Sequence, residues 1–173
     1  MSALPTGSGS YLLYLVLDRP IRLAAGRLPT AFFPAGVYYY AGSAFGPGGL
    51  RARVQRHITG SGPRRWHIDY LRPAARLLAV GFLTQADNPS NAARLECQWS
   101  QALAAFAGAI IPVHKFGASD CTHHCPAHLI AFAPGAAPLR PPQPNAPPAV
   151  GFTTIPSAAE IVWALVEAAP LEK

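Results

Sequence analysis

Gly36-Val37-Tyr38-Tyr39-Tyr40-Ala41 is an apolar and aromatic run that leads through Ser43 to Gly49, a turn with three glycines and a proline, into Leu50-Arg51-Ala52-Arg53-Val54-Gln55-Arg56-His57-Ile58. Aromatic side chains favour the pleated surface of a strand, and glycine and proline end it. In the segment that follows, Leu50, Val54 and Ile58 recur every fourth residue, which lines one side of a helix. The pair commits the chain to mixed α and β structure. Arg51, Arg53, Arg56 and His57 fall off the apolar stripe and are expected at the sheet edge or in solvent, where a ligand can reach them. Arg53 and His57, four apart, share a helix face.

The same punctuation recurs along the chain. Ser10 to Leu17 is a continuous apolar run bounded by Gly9 and Asp18-Arg19-Pro20, the pattern of a buried central strand. Ile21 to Ala25 and Ala75 to Thr84 read as further strands, Asn91 to Gly108 as a helix capped at Asn88-Pro89-Ser90, and Leu129 to Phe132 as a last strand. Trp66-His67-Ile68-Asp69-Tyr70-Leu71 alternates as a strand would, placing His67 and Asp69 on one face. The fold class expected is α/β in the α+β sense, with a small central antiparallel sheet flanked by helices. Residues 1–8 read as a disordered start and 9–133 as the domain. Residues 134–156, with eight prolines, read as an extended linker. Ser157 is placed to cap a helix through Ala169, a surface for docking back or for a protein partner.

Length allows one domain and an appendage. The net charge of +6 comes from fourteen basic against eight acidic residues, and twelve of the basic ones are arginine. Arginine forks suit phosphate, and Arg51, Arg53, Arg56, Arg64 and Arg65 lie close enough in sequence to follow a phosphate backbone. No apolar run reaches membrane-spanning length and the first twenty residues lack the basic start of a secretory signal, so a cytoplasmic protein is expected. Three cysteines argue against a disulfide framework.

Gly9-Ser10-Tyr11, Tyr40-Ala41-Gly42, the Leu50-x-x-Arg53-x-x-x-His57 helix and Glu96 stand in the order of parts of the GIY-YIG endonuclease superfamily. The chain resembles that superfamily from about Gly9 to Phe132, nearest its small stand-alone Uri-type branch, where segments like Trp66 to Leu71 and Phe116 to Cys121 also recur. The resemblance implies a nuclease that cuts DNA with one Mg²⁺ or Mn²⁺, in a structure- or damage-directed repair role. It implies Tyr11 as the base that activates water, Tyr40 as its orienting partner, Arg53 as fixed positive charge, His57 as a positioning or phosphate-donating group, and Glu96 as the metal ligand, with Asp69 as rival. Arg51, Arg56, Arg64 and Arg65 become contacts to the DNA backbone.

Cys121-Thr122-His123-His124-Cys125-Pro126-Ala127-His128 stands apart. Cys121, Cys125 and His128, with His123 or His124, offer ligands for zinc, but the spacing is not that of a standard finger and Cys97 would have to arrive from a helix. Buried cysteines are the expectation, and zinc the alternative. Two other readings of the whole chain stay open: a non-catalytic nucleic-acid-binding module, and a zinc-stabilised interaction domain.

Overall fold

A computed structural model describes residues 4–84, 89–139, 141 and 161–166, with 89–94 as backbone only. The fold is α+β, with a five-stranded antiparallel central sheet flanked by a few helices. Strands β1 (Gly9–Leu17), β4 (Gly36–Ala44), β5 (Arg76–Thr84), β6 (Leu129–Phe132) and β7 (Val162–Leu165) run in the order β6-β4-β1-β5-β7. Between the first two lies a separate ribbon of β2 (Ile21–Leu23) and β3 (Ala31–Phe33). Helices α1 (Gly49–Thr59), α2 (Ile68–Leu71) and α3 (Pro89–Ala104) complete the structure.

β1 is central because nearly every side chain on it is apolar and both of its faces are covered. Successive side chains alternate. Tyr11, Leu13 and Leu15 join Tyr38, Tyr40, Leu50, Val54, Ile68 and Leu71 in one core, on the α1 side. Leu12 joins Tyr39, Leu95, Trp99 and Leu103 in a second, on the α3 side. The β1–β4 register pairs Tyr11 with Gly42 and Leu13 with Tyr40, which sets both tyrosines on the α1 face.

Four expectations are corrected. Residues 4–8 are not a disordered start: Leu4 is buried, and the carbonyls of Gly7 and Pro5 accept the N–H groups of Leu50 and Arg51 at 3.0 and 2.9 Å. The cause lies in α1, whose N-cap residue Gly48 has no side chain to satisfy those donors. His57 does not face solvent; it is 1% exposed and lies with Leu50 and Val54 on the buried side. Trp66 to Leu71 is a turn and short helix rather than a strand, because the Asp69 carboxylate gathers the N–H groups of Arg65 and Trp66 at 2.8 and 3.0 Å.

The fourth correction is the expected helix of 157–169. Where the structure describes it, Val162–Leu165 is a strand paired with Ala79–Phe82, because its branched and aromatic side chains find the open edge of β5. Residues 157–160 and 167–169 of that expectation lie outside the described residues. So do 1–3 of the start, 140 and 142–156 of the linker, and the Asn88 cap. Leu139, just past the expected domain end, is buried, and its carbonyl accepts the Tyr39 hydroxyl. No helix among the described residues is long and apolar enough to cross a membrane.

Candidate active site and metal centre

Tyr11 is the centre of the first constellation. Gly42 lies opposite it on β4, and a Cβ at Gly42 would run into the Tyr11 ring and hydroxyl, so glycine is required for the ring to cross the strand there. The Tyr11 hydroxyl lies 2.9 Å from His57 Nε2. His57 Nδ1 makes no hydrogen bond among the described residues and lies 4.0 Å from Asp69 Oδ1. Burial raises the Tyr11 hydroxyl well above the usual tyrosine range, opposed by Arg53 through charge and hydrogen bond, while Glu96 and Asp69 push it further up. Tyr40 is raised too, by burial and then by Tyr11, Glu96 and Asp69. Burial holds His57 down to about 4 despite Asp69, so the imidazole is neutral at physiological pH.

Glu96 comes from α3. Burial raises its carboxyl, the Ser43 hydroxyl hydrogen-bonded to it lowers it, Asp120 adds to the rise and Arg53 opposes it. The structure thus brings Tyr11, Tyr40, Arg53, His57 and Glu96 together from β1, β4, α1 and α3. Asp69 is committed elsewhere: it accepts from Arg56 at 2.8 Å as well as from two backbone donors. Its carboxyl falls below the usual range because those bonds outweigh burial.

The arginines divide into two groups. Arg53 and Arg56 stack on Trp66, with guanidinium carbons 4.0 and 4.7 Å from the ring centroid. Arg56 also donates to the Pro63 carbonyl, so it holds the 63–69 segment against α1. Arg51, Arg64 and Arg65 are exposed, with Arg64 lying 5.0 Å over Tyr70. Beside His57 opens a cavity of about 420 Å³ lined by Arg56, Arg64, Arg72, Thr59 and Ser61 among others. Trp66 escaped the sequence reading as a working residue; its two flanking arginines on α1 were the available signal.

The second constellation is a Cys₃His cluster that could hold a metal ion. Cys97, Cys121, Cys125 and His128 place their ligand atoms within 4.8 Å of one another, and all three cysteines are free. Cys97 Sγ lies 3.6 Å from Cys121 Sγ and 3.8 Å from His128 Nε2. A disulfide needs sulfurs about 2.05 Å apart, whereas the edges of a tetrahedron with metal–sulfur bonds of about 2.3 Å measure about 3.8 Å. Burial pushes the Cys97 thiol far up and Cys125 to about 11. For Cys121 burial is outweighed by N–H donors of Cys125 and His123, and its thiol is lowered. Burial also lowers His128 to about 4, leaving a neutral imidazole whose Nε2 faces Cys97 Sγ. His123 and His124 are exposed, and their imidazoles are not among the ligands. Cys97 does arrive from its helix, at a separation in sequence that no spacing rule anticipates.

Both constellations lie within one family match. Residues 10–140 match the family described as Domain of unknown function DUF123. The chain belongs to the DUF123 family. The DUF123 match covers three quarters of the chain and takes in Tyr11 at one end and His128 toward the other. No curated protein and no solved structure matches the chain.

Proposed function

We propose that this protein is a divalent-metal-dependent endonuclease that hydrolyses DNA phosphodiester bonds. The observation that carries the reading is the Tyr11 hydroxyl, held 2.9 Å from a neutral histidine and acted on by the charges of Arg53 and Glu96. Hydrolysis requires that water lose a proton, that the nonbridging oxygens be neutralised and that the leaving oxygen be stabilised. A buried tyrosine does not ionise alone at neutral pH. His57 Nε2 holds the hydroxyl in place, and the Arg53 guanidinium favours the phenolate once its proton has left to solvent. The Tyr11 oxygen then takes a proton from the attacking water, and Tyr40 orients that water. Arg53, beside Tyr11, stabilises both the phenolate and the charge that builds on phosphorus.

Glu96 is the residue assigned to Mg²⁺ or Mn²⁺. A hard carboxylate oxygen suits either ion, and its burial beside Asp120 leaves a carboxylate that a cation stabilises. When bound, the ion supplies Lewis-acid stabilisation of the phosphate and leaving oxygen. Asp69, already taken by Arg56 and two backbone donors, is assigned to holding His57 and Trp66. Arg51, Arg64 and Arg65 are assigned to DNA backbone contacts. Such contacts carry no sequence readout, so the preference assigned is for DNA structure or damage, in repair.

The ion of the Cys₃His cluster we take to be zinc, since three thiolates and an imidazole form a closed, soft, four-coordinate set unsuited to magnesium. That cluster also favours a second reading, a zinc-stabilised nucleic-acid-binding module without catalysis. Purified protein incubated with supercoiled plasmid, single-stranded DNA and branched duplex separates the two. The nuclease cuts with Mg²⁺ and not in EDTA. Tyr11→Phe and Glu96→Ala lower the rate by at least about 10²-fold while DNA affinity stays within about twofold. Binding without cutting on all three substrates overturns the enzymatic reading.

A further inference from the structure

We infer that the Cys97–Cys121–Cys125–His128 centre is a clasp that positions Glu96 and Tyr40, so that the affinity of the Glu96 site for its divalent ion depends on the ion in the clasp. This rests on the nuclease reading only for what the Glu96 ion is used for.

Three connections within the fold carry it. The first runs along α3: Glu96 and Cys97 are consecutive, and on a helix consecutive side chains diverge by about 100°. Glu96 thereby meets Ser43 and the field of Arg53, while Cys97 enters the thiol cluster. Holding Cys97 therefore sets the rotation and height of the turn that bears Glu96. Leu95, Trp99 and Leu103 pack in the core that fixes where the helix lies on the sheet, while Cys97 packs in the separate thiol cluster.

The second connection runs through His128. Its backbone carbonyl accepts the N–H of Ala41, the residue after Tyr40, at 3.0 Å, and its own N–H donates to Phe116 O at 2.7 Å. Gly117 sits in the gap with φ +74°, where a Cβ would come within 2.8 Å of the Tyr40 ring and 3.1 Å of His128 Cβ. The ligand-bearing loop is thus wedged directly behind Tyr40.

The third is the loop itself. Residues 111–128 contain no helix or strand, and Lys115 and His124 hold positive φ without being glycine. A stretch of that length and strain keeps one shape when something outside secondary structure fixes it. Phe116 in the core and the Gly117 N–H on His67 Nδ1 hold its first half, and the cluster holds its second, assisted by Gln101 on α3, whose amide donates to His123 O at 2.9 Å and approaches Cys125 Sγ at 3.7 Å.

The test uses Mn²⁺ as the probe of the Glu96 site, read by loss of the free-ion electron paramagnetic resonance signal, with zinc content from elemental analysis. Wild type is expected to carry one zinc, and Cys125→Ser none, with Mn²⁺ affinity reduced at least about tenfold, the scale on which supporting groups around a metal site act. Because Cys125→Ser risks failing to fold, Cys121→Ser gives the decisive measurement. It removes the half-buried thiol and keeps the two buried ones with His128, so one equivalent of zinc should restore its Mn²⁺ affinity toward wild type. Reciprocity requires the converse, that Mn²⁺ tighten zinc. Mn²⁺ affinity that differs by less than twofold between zinc-free and zinc-loaded Cys121→Ser overturns the clasp. If wild type cuts none of the DNA substrates but the two ions still couple, the clasp stands and the nuclease reading falls.

Discussion

His57 shows how one side chain ties stability to chemistry. Burial, with Arg53, Arg72 and Arg56 acting in the same direction, outweighs Asp69 and leaves a value of about 4, while Tyr11 is hydrogen-bonded to the ring. Its folded value is depressed below the ordinary one, so between about 6.5 and 4 the unfolded chain binds more protons and stability falls as pH drops. The expected loss from His57 between pH 7 and pH 5 is about 2 kcal/mol. Urea denaturation at the two pH values checks it, and His57→Gln removes this share of the slope. A zinc-free preparation adds a share from His128, lowered in the same direction. Part of this was legible from spacing. Leu50, Val54 and His57 sit at offsets of zero, four and seven, which is one helix face; treating histidine as necessarily polar hid it.

At the scale of elements, β1, β4, β5, β6 and α1 were readable because glycine, proline and aspartate bracket their apolar runs. β7 was not, because Val162–Leu165 is short and its neighbours carry no strand signal; the open edge of β5 decides it. Gly81 on β5 marks the contact, since a Cβ there would come within 2.6 Å of Ile161 Cγ2 and 3.3 Å of the Trp163 ring. A chain ending at residue 160 should therefore lose about 3 kcal/mol, from exposing Ile161, Ala164 and the β5 edge. Denaturant titration gives the loss, and light scattering shows whether the bared edge pairs with a second chain. The metal cluster lies at the other limit of legibility. Cys121, Cys125 and His128 stand close in sequence, whereas Cys97 joins them only because α3 and that loop meet in the fold.

For the molecule as a whole, the net charge of +6 rests on twelve arginines, some engaged internally and some left exposed. Arg56 and Arg72 are engaged internally, by Asp69 and by the carbonyls of His57 and Ala75. Arg51, Arg64 and Arg65 remain exposed, with Arg51 Nε donating to the Leu4 carbonyl at 3.0 Å. If these three make the backbone contacts, the logarithm of DNA affinity should fall against the logarithm of salt with a slope of about −3, and each neutralised arginine should reduce the slope by about 1. Fluorescence anisotropy across a salt series measures it, and a flat response would remove DNA as the ligand of this face. The strap of residues 4–8 adds a constraint on direction. By giving two of its carbonyls to the first turn of α1, it closes the end of that helix where backbone dipoles would otherwise attract an anion. If the protein binds DNA as proposed, phosphate would meet the flank of α1, and the strand would lie across the helix and not against its first turn.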